Sequence, residues 1–235
     1  MKYIHSLCLA MLTVFVLLFP VAGQAAERTA PILTVDGSGT SQATPDQAFV
    51  SLGVITQDVE AQTAQTKNAS TANAIQNALI AIGIPEKCIQ TRDYNLHPDY
   101  NRDQQNDITG YTVNNTVTVR VDDIRLIGRV IDTALANGAN RVNSLNFDLK
   151  NTKQLRKEAL GSAIKDAREK ADIIAAGLGK TIIGIQNVSE NSGTIQPRRY
   201  DNMILAKSAA LESTPIEAGT IDFSATVHIE FILSN

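Results

Sequence analysis

Side chains able to make or break bonds are scarce in this sequence: its 235 residues include two cysteines and three histidines. Cys88 stands in Lys87-Cys88-Ile89, beside one cation and at the start of an apolar strand pattern. It is open to two readings, a redox-sensing or intermolecular thiol and a small half-buried hydrophobe. His97 precedes Pro98 in an extended stretch, and His228 shares a strand face with Glu230. Zinc needs three or four ligands, and neither histidine has the others at suitable spacing, so both read as surface residues.

Three short motifs invite sharper readings. Asp36-Gly37-Ser38-Gly39 has the outline of a phosphate loop, but a dinucleotide fingerprint needs a third glycine where Gln42 stands, and it must open a helix. A turn is expected there instead. Gly39-Thr40-Ser41-Gln42-Ala43 lacks the last glycine of a nucleophile elbow. Asp99, Asn101 and Asp103 match the first three ligands of a calcium loop. Gln104 and Gly110 stand where such a loop needs its glycine and its bidentate glutamate, so a solvated loop is expected. No catalytic set, cofactor site or metal site is expected.

The elements that would position these residues follow from periodicity. Residues 32–36 form a short apolar run, stopped by Gly37-Ser38-Gly39, and Val50, Leu52 and Val54 alternate as in a strand. From about Val59 to Ile82 the chain is helical, with Ile75, Leu79 and Ile82 on one face and Gly83 as the stop. Ile89 to Tyr100 reads as extended, and Val113, Val117, Val119 and Val121 share one parity of a strand with one wet face. Asp122 or Asp123 caps a helix carrying Ile127, Val130, Ile131, Ala134 and Leu135, which Asn137-Gly138 ends. Leu145, Phe147 and Leu149 form the next strand. A long helix from about Lys153 to Leu178 follows, with Leu155, Ala159, Ala163, Ala167, Ala171, Ile174 and Leu178 in a stripe. Its charged run from Lys165 to Lys170 reads as a solvated face with i,i+4 pairs. Ile182 to Val188 is a strand, and Ile221 to Leu233 alternates without a miss.

One-sided strands that each follow a glycine-stopped helix need a single covered face. The economical arrangement is an α+β fold, a mostly antiparallel sheet with three helices packed on one face. No proline-rich linker or composition break divides residues 26–235, so one domain is expected, with room for two lobes.

The first 25 residues read as an address. Lys2 gives a positive start, Leu7 to Phe19 an uncharged run of thirteen residues, and Gly23-Gln24-Ala25 small residues before cleavage after Ala25 or Ala26. Thirteen is short of the roughly 20 that a spanning helix needs. The mature chain then lacks Lys2, so its net charge moves from −3 to −4, and Cys88 is left as its one cysteine, with no intrachain disulfide. The acidic balance, with a pI near 5.6, argues against a dedicated nucleic-acid binder. No second long apolar stretch follows, so no membrane span is expected in the mature chain.

The chain resembles the SIMPL-domain family. Val35-Asp36-Gly37-Ser38-Gly39, Pro45-Asp46 and Val50-Ser51-Leu52-Gly53-Val54 are similar to its opening strand pair. Asn68-Ala69, Gly83-Ile84, Ile89-Gln90-Thr91, Tyr94, Leu96, Pro98 and Tyr100 are similar to its first helix and next strand. Gly110-Tyr111, Val130-Ile131-Asp132, Gly138-Ala139-Asn140, Glu158-Ala159, Asp166-Ala167, Lys170-Ala171 and Ser189-Glu190 continue the order. Pro215-Ile216-Glu217-Ala218-Gly219 resembles a family turn that usually has a second proline where Ala218 stands. The resemblance implies an exported protein of the Gram-negative periplasm, linked to protection against oxidative and other stress, with association to the outer membrane left open. It carries over no catalytic residues.

One further stretch stands out. Arg198, Arg199 and Tyr200, followed by Met203, Ile204 and Leu205, lie in a connection of roughly 25 residues, long for a compact domain. It reads either as an arm whose apolar trio docks on a neighbouring subunit or as a loop covering its own core. The expectation is a non-enzymatic envelope protein that acts as a homo-oligomer or through envelope protein partners. The alternatives are a small-ligand carrier and a thiol-dependent antioxidant enzyme working through Cys88.

Overall fold

A computed structural model describes residues 30–101, 107–198 and 214–235. The expected signal segment lies outside them. The described residues form two antiparallel sheets. In the first, β1 (Ile32–Ala43) and β6 (Ile182–Arg198) flank β7 (Thr220–Leu233), giving the order β1-β7-β6. In the second, β3 (Ile89–Tyr100), β4 (Ile108–Val121), β2 (Gln47–Asp58) and β5 (Arg141–Asp148) lie in the order β3-β4-β2-β5. The α+β class, the antiparallel pairing and the three helices match the sequence reading. The strands, however, divide between two sheets, each with helices on one face. Only Thr44, Pro45 and Asp46 separate β1 from β2, and the chain changes sheet across them.

Helix α1 (Ala61–Ala81) and helix α2 (Ile127–Ala136) cover the four-stranded sheet. Between them lie Val50, Leu52 and Val54 of β2 and Val117, Val119 and Val121 of β4, packed with Ile75, Leu79, Ile127 and Val130. Asn68 of α1 is fully buried and donates from Nδ2 to the Val54 carbonyl at 3.0 Å, tying the helix to the sheet. Asp123 caps the 3₁₀ turn ahead of α2 by accepting from the Arg125 N–H. Both helices stop in the same way. Gly83 and Gly138 adopt φ values of 100° and 102°, which L side chains rarely adopt. The next N–H then reaches back to a helical carbonyl, Ile84 to Leu79 at 3.1 Å and Ala139 to Ala134 at 2.9 Å.

The long helix α3 (Lys153–Gly177) packs on the three-stranded sheet through Leu155, Ala159, Ala163, Ala167, Ala171 and Ala175. This strict four-residue spacing follows the i±4 ridge, which drifts around a 3.6-residue helix. Ile174 and Leu178, assigned to the stripe by the sequence reading, are therefore left exposed. Opposite the stripe lie Val35 of β1 and the whole alternating set of β7, from Ile221 to Phe231.

The Gly37-Ser38-Gly39 segment is the main departure from expectation. It lies inside β1, with no turn. A Cβ on Gly37 would sit 2.1 Å from the Ala163 carbonyl oxygen, and one on Gly39 would sit 2.2 Å from that of Ala159. The glycines let a helix backbone approach the strand, a role glycine serves inside strands. A further departure is β6, which continues ten residues beyond Val188 to Arg198.

Candidate functional site

Cys88 ends a short 3₁₀ turn (Glu86–Cys88) that leads into β3, and it belongs to the core under α1 and α2. Its residue exposure is 3%. The sulfur also meets the opposite face of the sheet, where Arg120 Nη2 donates to Sγ at 3.1 Å. Arg120 is itself fixed by Asp122, whose Oδ1 accepts from Nε at 3.0 Å, and that hydrogen bond raises the guanidinium pKa above its ordinary value. Lys87, Gln90, Arg92, Thr118 and Phe49 complete a cleft of about 50 Å³. Sequence reading missed Arg120 because it is 32 residues away from Cys88 and is brought near only by β3–β4 pairing. The result is a cationic depression with a nearly covered thiol at its floor.

A second cluster lies on the outer face of the three-stranded sheet. Asp36, His228 and Ser189 stand opposite one another on β1, β7 and β6. His228 Nδ1 is 2.7 Å from Asp36 Oδ1. The order resembles an acid–base–hydroxyl set, but the Asp36 side chain is 73% exposed. Such chemistry gains its strength in water-excluded sites, and this row stands in solvent. His97 is also exposed, 3.8 Å from Asp99. Asp99 is also held by Thr112, whose Oγ1 donates to Asp99 Oδ2 at 2.7 Å. Asp103 lies outside the described residues. Among the described residues no three His, Cys, Asp or Glu side chains gather as a metal site would require.

The charged run of α3 does more than face solvent. Asp166 Oδ2 accepts from the Ser38 N–H at 2.8 Å, and Lys170 Nζ donates to the Asp36 carbonyl at 3.1 Å. Both bonds pin the helix to β1. The Lys170 hydrogen bond, then that of Ser38, holds the Asp166 carboxyl below its usual pKa. Lys165–Glu169 and Arg168–Asp172 are surface i,i+4 pairs, as expected.

Of the proposed arm, Arg198 ends β6 and pairs with Thr220 of β7. Arg199, Tyr200, Met203, Ile204 and Leu205 lie outside the described residues. The chain is described again from Thr214, whose N–H and Oγ1 donate to the Asp132 carboxylate of α2 at 3.0 and 2.6 Å. Ile216 then packs against the core of the four-stranded sheet before the chain enters β7. A shallow polar groove of about 320 Å³ runs along α1, lined by Glu60, Gln62, Thr63, Thr66 and Lys67. No helix among the described residues is long and apolar enough to cross a membrane.

Two antiparallel sheets, each roofed by helices on one side, define a class of α+β protein whose order of elements runs over nearly the whole chain. The chain belongs to the SIMPL family, a family described as protein of unknown function (DUF541), whose model matches residues 33–231. It is 29% identical over 209 residues to a 26 kDa periplasmic immunogenic protein of Brucella melitensis, covering 85% of this chain and 83% of the relative. It is 25% identical over 209 residues to the uncharacterized protein YggE of Edwardsiella ictaluri, covering 87% of each. Against YggE of Escherichia coli K12 the identity is 23% over 222 residues, covering 92% of this chain and 90% of the relative. None of these names denotes an enzyme.

Proposed function

We propose that the protein is exported to the periplasm, where it acts without catalysis, by self-assembly or by binding envelope proteins, in a role linked to stress protection. The periplasmic name of the Brucella relative and the signal-like first 25 residues support the location. The observation that carries the mode of action is exposed apolar surface at the ends of both sheets. Tyr94, Leu96 and Tyr100 on β3, and Ile183, Ile185 and Val188 on β6, are all between 39% and 63% exposed. Exposed apolar side chains grouped on an edge strand read, on this proposal, as contact surface. Met203, Ile204 and Leu205 come five to seven positions after the end of β6 in the sequence, and this reading assigns them to the same contact.

Light scattering coupled to size exclusion tests this on the chain from Ala26 onward. The expected result is a mass well above one protomer at micromolar concentration, lowered when Met203, Ile204 and Leu205 are all replaced by Ser. A strictly monomeric protein refutes self-assembly, and an unchanged mass in the triple variant removes the arm from it.

A further inference from the structure

The four-stranded sheet has a second face, turned away from its helices. On β4, Val117, Val119 and Val121 point into the core under α1 and α2, so Thr118 and Arg120 point the other way. The register sets Phe49 of β2 opposite Arg120, and Gln90 of β3 opposite Thr118. Arg92 is the extra residue of a bulge in β3, since Thr91 stands opposite Val117 and Asp93 opposite Thr116. Bulges re-aim side chains, and this one turns Arg92 into the cleft above Cys88.

The lining of that cleft is one-sided in charge. Lys87, Arg92 and Arg120 belong to it, and no carboxylate among the described residues does. Glu86 and Asp93, the chain neighbours of two of these cations, are not lining residues, and Asp122 meets only Arg120 Nε. A protein with more acidic than basic residues has carboxylates to spare, yet here three cations converge without one. Phe49 walls the same space with an apolar ring, which strengthens electrostatic attraction inside it.

Arg120 is fixed before any ligand arrives. A guanidinium has five N–H donors, and Arg120 gives one to Asp122 Oδ1 at 3.0 Å and one to Cys88 Sγ at 3.1 Å. The plane is thereby held from two sides with about three donors left over, a fork that matches the oxygens of a phosphate or carboxylate. Size narrows the choice. The cleft holds about 50 Å³. A water needs roughly 10–15 Å³, so the cleft admits about three to five non-hydrogen atoms, whereas drug-sized ligands need roughly 300 Å³ or more. Charge narrows it further. With Asp122 set against Arg120, Lys87 and Arg92 leave two positive charges, which suit a dianion better than a single carboxylate.

We infer that this cleft binds a tetrahedral oxyanion, a phosphate or phosphomonoester group, with Arg120 as its fixed fork and Lys87 and Arg92 as the cations that close on it. Thr118 and Gln90 add a hydroxyl and an amide at the floor, donors suited to the remaining oxygens. Cys88 acts here by its position, as the acceptor that orients Arg120. The site is independent of the assembly state of the protein.

Calorimetric titration of the chain from Ala26 onward tests this, at low ionic strength in a buffer without phosphate. The probes are inorganic phosphate, glycerol 3-phosphate and acetate. Lys87 and Arg92 are exposed, so the double variant Lys87→Gln with Arg92→Gln spares the core. Lys153→Gln with Lys157→Gln, two exposed residues of α3, makes the same change of net charge elsewhere. The expected result is saturable phosphate binding, weakened about tenfold or more in the first double variant and within about twofold of wild type in the second. Acetate should bind about tenfold more weakly than phosphate. Equal binding of both phosphates would make the site a receptor for the phosphate end of a larger molecule, and binding of inorganic phosphate alone would make it a free-ion site. The inference is overturned by no saturable heat from either phosphate, by acetate binding as tightly, or by equal effects of the two double variants.

Discussion

Replacing Gly37 or Gly39 with Ala should separate a helix from a strand. A new Cβ at Gly37 would lie 2.1 Å from the Ala163 oxygen, 2.6 Å from the Ala167 Cβ and 2.7 Å from the Ala167 nitrogen. At Gly39 the distances are 2.2 Å to the Ala159 oxygen and 2.4 Å to the Ala163 nitrogen. Ordinary contact begins near 3.4 Å. The obstructing atoms are helix backbone, which no rotamer change can move, so α3 must lift by about 1 Å along its closest line of contact. Overpacking of a tight core costs about 1–3 kcal/mol, and a backbone clash belongs at the top of that range. Each substitution should therefore cost about 3 kcal/mol, or roughly 6–12 °C in Tm for a chain of this size. Gly161 supplies the internal comparison. It lies within α3, and a Cβ there meets nothing within 4 Å. Gly161→Ala should stabilise by up to about 1 kcal/mol through helix propensity alone. Urea unfolding followed by far-ultraviolet circular dichroism measures all three. Losses below about 1 kcal/mol for both Gly37→Ala and Gly39→Ala would refute the close-approach reading.

Two other outcomes follow from the charge and thiol geometry. Hydrogen bonds hold four carboxyls below the ordinary value of 3.8: Asp58 by Lys67, Asp132 by Thr214, Asp166 by Lys170, and Asp123, down to about 2, by Arg125. A depressed native pKa adds stability that is present above 3.8 and lost as pH falls toward 2, so the thermal midpoint should drop across that window. A midpoint that holds constant or rises on acidification there would contradict those contacts. Cys88, 3% exposed, should react with a thiol reagent only when the chain is unfolded by denaturant, and Cys88→Ser should leave peroxide consumption at the wild-type level. Cys88-dependent peroxide turnover would instead make the cationic cleft an enzyme site.

What the sequence made legible depended on whether a signal was local. The last strand alternates from Ile221 to Leu233 without interruption, and it forms the centre of its sheet. Gly83 and Gly138 were readable as helix stops because positive φ is a single-residue property. Gly37 and Gly39 were misread as a turn because their meaning lies 120 or more residues away. Two glycines on one strand face match alanines spaced by four on α3, and only the fold superimposes the two patterns. β6 was cut short at Val188 because three register shifts break its alternation. The division into two sheets was hidden for a similar reason. Strands β1 and β2 are neighbours in sequence, yet each finds its partners elsewhere, β1 in β7 and β2 in β4 and β5. Of the candidate site residues, Cys88 was visible by type, while its contact with Arg120 was invisible to local pattern.

The two halves of the molecule solve the same covering problem with different side chains, and this difference explains where the open surface lies. The four-stranded sheet has two helices held off by Ile75, Leu79, Ile127 and Val130, and two helix widths match four strands. The three-stranded sheet has one helix that approaches closely, because alanine meets glycine, and a close helix reaches no further sideways than its own width. Larger residues on α3 would raise the helix and spread its flank, but would lose the close contact with β1.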